Sequence, residues 1–230
     1  MKARIFNQDV VRHIMDGTQT QFRRPLKVQP LTSKSKLITL AETTDRDERK
    51  YEGWNYWAEV DGLRINRDTQ SRYFKPRHKP GDIIGVRERV RLMNKKVMFG
   101  GMFGEFKYEA DNYTTGWVPF PKRIKFMASG HCVPNGCFKE LIRTFLKVTG
   151  VRFERFCDIS EPDAIAEGIS VFPLQDADDK SAWWQSSPGV NQARTPIASF
   201  KKLIESIYPG QWNSWCEVTE FEKCDKPKEL

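Results

Sequence analysis

The sequence predicts an α+β fold: a small mixed or antiparallel β-barrel with a few packed helices and loop insertions. Three observations carry this. β-rich runs recur at 83–90 and 142–156. Helical spacing of apolar residues is confined to three stretches near 8–16, 160–168 and 195–208. The helices do not alternate with the strands, which argues against a parallel α/β sheet and for a barrel.

Each element has a local cause. The apolar-tipped segment 4–6 opens a strand. Asn7 is a good N-cap, Val10, Val11, Ile14 and Met15 follow at helical spacing, and Gly17 sits where a helix stops. Residues 21–26 leave that turn as a strand, with Pro25 marking an edge or exit. Residues 43–50 are almost wholly polar and read as a loop. Tyr51, Trp54, Tyr56 and Trp57 then cluster four aromatics, which favours packing over base stacking. His78, within the basic run Arg72, Lys75, Arg77, His78 and Lys79, reads as surface. Lys79-Pro80-Gly81-Asp82 is a turn signal before the strand that begins at Ile83. The Gly- and Phe-rich stretch 97–108 reads as a hairpin, and 117–123 as extended because its residues precede prolines.

In 142–156, Leu146, Val148, Val151 and Phe153 alternate around Gly150, so a long strand with a bulge is expected. Ser160 caps the next helix, with Pro162 in its first turn; Gly168 ends it and leaves Glu167 in the last turn. Asp176, Asp178 and Asp179 form an acidic loop without the ligand series of a calcium site. Thr195-Pro196 opens a helix whose face carries Ile197, Phe200, Leu203, Ile204 and Ile207, and Tyr208-Pro209-Gly210 stops it. A final strand spans 215–221.

Composition narrows the function class. The 230 residues carry a net charge of +8, which points to a polyanionic partner, most commonly nucleic acid. No stretch approaches the roughly 18 apolar residues of a membrane span, and the N-terminal residues lack the apolar run of a signal peptide. Five cysteines without a pairing pattern fit reduced thiols and a cytoplasmic location. His131, Cys132 and Cys137 lack a second ligand pair nearby, so neither a metal nor a cofactor is expected.

The stretch 14–25, IMDGTQTQFRRP, is the richest in chemistry. A tight turn at Gly17 delivers Thr18, Gln19 and Thr20, followed by Arg23 and Arg24. Guanidinium forks grip phosphate in bidentate fashion, so these side chains suit an anionic or nucleobase-like ligand. The plain alternative is an exposed turn with solvated arginines.

Five stretches, IMDGTQTQFRRP, KPGDIIGVRE, LKVTGVRFERFCDISEPDAIAEGI, FKKLIESIYPG and WCEVTEFE, occur in an order and spacing that resemble the ASCH family of the PUA-like superfamily, especially its enlarged phage and prophage members. They cover about half the chain. The resemblance implies one PUA-like domain over 1–230, with insertions at about 28–77, 91–130 and 171–194. It also implies a cleft beside a Gly-x-Lys-x-x-x-x-Arg-like loop that meets RNA or a modified nucleoside. Small bacterial members hydrolyse acylated cytidines with a Lys, a Thr and a helical Glu. Here those positions fall on Gln19, Phe22 and Glu167, and the family Arg on Arg24. Gln19 is a neutral amide and Phe22 has no nucleophile. Thr20 is the substitute nucleophile within the stretch.

Three functions follow as expectations. The first is a module binding RNA, DNA or modified nucleosides, with Gln19, Thr20, Arg23, Arg24, Arg87 and Glu167 at the ligand. The second is a hydrolase of N4-acylated cytidine, or an RNA-cleaving enzyme, using Glu167 and Thr20. The third is a phage accessory protein that binds a host protein.

Overall fold

The computed structural model describes residues 2–30, 35–39, 54–61, 64–67, 74–120, 127–134, 136–172 and 183–227. The polar run 43–50, Tyr51, the end of the 117–123 segment and the acidic loop with Asp176, Asp178 and Asp179 lie outside them. In chain order the elements are β1 (Lys2–Ile5), α1 (Gln8–Met15), β2 (Gln21–Pro25), β3 (Ser35–Thr39), β4 (Asn55–Asp61), β5 (Arg64–Arg67), β6 (Ile83–Arg87), β7 (Val90–Met98), β8 (Gly101–Tyr108), β9 (Val118–Pro119), β10 (Phe145–Arg155), α2 (Glu161–Ala166), β11 (Ser170–Phe172), β12 (Trp183–Gln185), α3 (Pro196–Ile207) and β13 (Trp215–Cys224). The fold is mixed α and β, mostly strands in several sheets.

Each helix begins where its cap residue dictates. Asn7 accepts from the Val10 amide, Ser160 from Asp163 and Thr195 from Ala198, so side chains satisfy amides that the helix itself cannot.

The main sheet has the order β1-β6-β10-β13-β2. β1 runs parallel to β6, and the other neighbours are antiparallel. The strands expected at 21–26, 83–88, 146–153 and 215–221 therefore share one sheet. Among the described residues no ladder closes β1 onto β2. The sheet is nevertheless strongly curled: the Arg4 guanidinium of one edge strand lies 3.8 Å over the Phe22 ring of the other, and Phe6 meets Phe22 edge-on at 5.8 Å. The expected bulge falls between Val148 and Gly150. A β-carbon at Gly150 would press on the Glu220 carboxylate, which would have to move aside.

Three apolar clusters hold the layers together. α1 packs Val11 and Ile14 against Phe22, Ile84, Val86, Leu146 and Val148 inside the curl. α2 and α3 cover the opposite face through Ala164, Phe200, Ile204, Cys216 and Val218. The β7–β8–β9 sheet has its own core of Leu92, Phe106, Tyr108, Phe120, Phe138 and Phe145. Arg143 ties this unit to the main sheet by gripping the buried Glu88 carboxylate at 2.9 and 2.7 Å. Of the aromatic cluster, Tyr56 and Trp57 are buried; Trp57 packs on Trp215 with ring centroids 4.9 Å apart.

His78 is not the surface residue its basic surroundings suggest. It is 6% exposed and packs edge-on against Phe22, because the 74–82 segment folds over the open side of the curl. Burial, with Lys2 adding, lowers its pKa.

Candidate functional site

The turn after α1 is built by backbone hydrogen bonds. Gly17 adopts φ 75°, and the Thr18 and Gln19 amides both donate to His13 O, at 2.9 and 3.0 Å. Gln19 then bridges to Glu167, the Thr20 amide donates to Ala166 O, and the Phe221 amide donates to Thr20 O. The turn is thus wedged between α1, α2 and β13. Gln19 is buried; its Nε2 donates to Gln21 O, while its Oε1 has no partner among the described residues. Gly168 closes the far wall at φ 94°, where a β-carbon would lie 2.7 Å from His13 Nδ1. Thr20 is exposed, and no side chain among the described residues engages its hydroxyl.

β2 then separates its two arginines, since successive side chains of a strand point to opposite faces. Arg23 faces α2 and α3, and its side chain is wholly buried. Its Nη1 donates to Glu167 Oε1 at 2.8 Å, and its backbone amide donates to Glu167 Oε2 at 3.3 Å. Its Nε and Nη2 bind Glu154, and Asp163 lies 3.6 Å away. Arg152 extends the network to Glu154, Asp163 and Glu220. Burial raises the Glu167 pKa to about 7, against the pull of Arg23. Burial also opposes the Arg23 charge, but Glu167 and Glu154 outweigh it and raise that pKa. Arg23, expected at a phosphate, is closed off from ligand by carboxylates of its own chain.

Arg24 faces the other way, opposite Glu217 on β13. Among the described residues it has neither an ion pair nor a hydrogen-bond partner. Glu217 makes no ion pair with it, though its charge favours the Arg24 cation; both Glu217 carboxylate oxygens accept from the Arg77 amide, at 3.2 and 3.0 Å. Burial is the largest effect on Arg24 and lowers its pKa; Tyr208 opposes it and Arg77 adds to it. Arg77 donates from Nη2 to Pro25 O, while its Nη1 is buried without a partner. Arg24, Lys27, Arg77, Tyr208, Gln211 and Ser214 line one groove of about 570 Å3, together with Pro25, Leu26 and Gln29. Among the described residues the lining holds three cations and no carboxylate. Two adjacent guanidiniums beside a tyrosine suit a phosphate carrying an aromatic group.

The expected constellation is therefore divided. Gln19 and Glu167 meet beside Arg23, on the face away from Arg24, while Thr20 adjoins them through its backbone alone. Arg87 lies on β6, separated from β2 by β10 and β13, and its Nε is buried without a partner. Of the groove residues that the sequence did not mark as candidates, Arg77 and Tyr208 are the ones that act on Arg24. One stood within a basic run and the other marked a helix stop. Among the described residues no group of three or more His, Cys, Asp or Glu could hold a metal ion, and no helix is long and apolar enough to cross a membrane.

No protein-family model matches this chain, and no curated protein or solved structure matches it.

Proposed function

We propose that this protein is a PUA-like, ASCH-type module that binds RNA or a nucleotide with a modified base, seating a phosphate between Arg24 and Arg77. The observation that carries the reading is the groove lined by Arg24, Lys27 and Arg77, with no carboxylate among its described lining residues. Among the described residues the Arg24 guanidinium has no ion pair, and the one carboxylate that acts on both arginines, Glu217, carries a single charge; a bound phosphate supplies further charge and acceptors. The net charge of +8 favours the same class of partner. The curled five-stranded sheet, with its edges in side-chain contact, supports a PUA-like barrel. DNA presents the same phosphates, so competition between RNA and DNA of one sequence decides between them.

Isothermal titration tests this reading with a short RNA, a cytidine monophosphate and free cytidine. The nucleotide should bind more tightly than the nucleoside, and Arg24→Ala should remove that preference. Equal binding of nucleotide and nucleoside would refute phosphate recognition.

One observation favours a second reading, hydrolysis of an acylated cytidine. A carboxyl with a pKa of about 7 suits general acid–base work. It would require Glu167 to leave Arg23 and Thr20 to act as nucleophile. Release of free cytidine from N4-acetylcytidine, abolished by Glu167→Gln, would establish it.

A further inference from the structure

The β7–β8 hairpin ends in a two-residue turn, Phe99-Gly100, between the paired residues Met98 and Gly101. Both turn residues have positive φ, 50° and 73°. Such turns favour Asn-Gly or Asp-Gly, because bulky residues resist the left-handed region. Phe99 occupies this position while 98% exposed. Neither local backbone preference nor burial explains a phenylalanine there.

The surroundings of the tip point to what it meets. Lys96 stands opposite Phe103 in the ladder, so their side chains share a face. Phe99 contacts Phe103 edge-on at 6.5 Å, and the Lys96 ammonium lies 4.0 Å over the exposed Trp117 ring. Phe99, Phe103, Trp117 and Lys96 thus form one aromatic face with a cation in it. Among the described residues Lys96 has no carboxylate partner. The base of the hairpin is anchored in the core, with Leu92 and Phe106 fully buried.

We infer that this hairpin tip is a second contact surface for single-stranded nucleic acid, with unpaired bases stacking on Phe99 and Trp117 and a phosphate meeting Lys96. This rests on the reading that the protein binds nucleic acid, but it uses residues far in sequence from the Arg24 groove. A cation within an aromatic face complements a stacked base and its phosphate, since every base offers a ring face and every link a negative charge. A duplex, with its bases already stacked, does not fit.

Fluorescence anisotropy tests it with a labelled uridine RNA of roughly 12 nucleotides, within the range such sites cover, and its abasic counterpart. The double variant Phe99→Ala, Trp117→Ala should bind the uridine RNA about tenfold or more weakly and no better than the abasic strand, with an unchanged salt slope. Lys96→Ala should instead reduce the salt slope by about 0.7. Phe99→Trp should keep full affinity, which separates stacking from folding damage. If the double variant binds uridine RNA like the parent while Arg24→Ala, Arg77→Ala does not, the hairpin inference fails and the groove reading stands. If the parent binds neither strand, both fail.

Discussion

Arg23 and Arg24 are neighbours in sequence and face opposite sides of β2. One guanidinium ends 2.8 Å from Glu167 Oε1 beneath α2; the other opens into the groove with Arg77 and Tyr208. The first fastens a helix to the sheet, and the second has no ion pair among the described residues.

This separation predicts unequal effects on stability. Arg23→Ala strands Glu167, Glu154 and Asp163 around a lost cation, and should cost about 3–5 kcal/mol in urea unfolding. Arg24→Ala breaks no pair among the described residues and should stay within about 0.5 kcal/mol. Similar losses in the two variants would contradict the assignment.

The Glu167 carboxyl makes stability depend on pH. Its pKa rises from 4.5 to about 7 on folding, so the folded state holds the proton more tightly. The contribution is fully present below pH 4.5 and is lost as pH climbs through about 7. Glu167→Gln removes this dependence. The stability of the parent relative to Glu167→Gln should therefore fall between these pH values, as measured by unfolding at several pH values. A constant difference would mean that Glu167 titrates normally.

The strained turn makes a third prediction. Phe99→Asn puts a residue at φ 50° that tolerates it, and should raise stability by on the order of 1 kcal/mol. Thermal unfolding checks this. An unchanged or lowered midpoint would show that the turn carries no strain.

Much of this architecture is legible in the residues because its causes are local. Asn7, Ser160 and Thr195 announce three helix starts through short side chains that reach backbone amides. Gly150 announces a bulge where a side chain would strike Glu220. The burial of His78 was hidden, because it depends on the 74–82 segment crossing Phe22 and not on any neighbour in sequence. The division of Arg23 from Arg24 follows from strand periodicity, yet which of them faces α2 depends on register with β13. Arg77 and Tyr208 meet only because the segment before β6 and the end of α3 reach the same end of β2. Contacts of that kind leave no local pattern.

The most direct test of phosphate binding at the Arg24–Arg77 groove is the salt dependence of RNA affinity for the parent and for Arg24→Ala, Arg77→Ala. Two lost phosphate contacts should reduce the slope of log affinity against log salt by about 1.4 and weaken binding at low salt. An unchanged slope and affinity in the double variant would contradict the account.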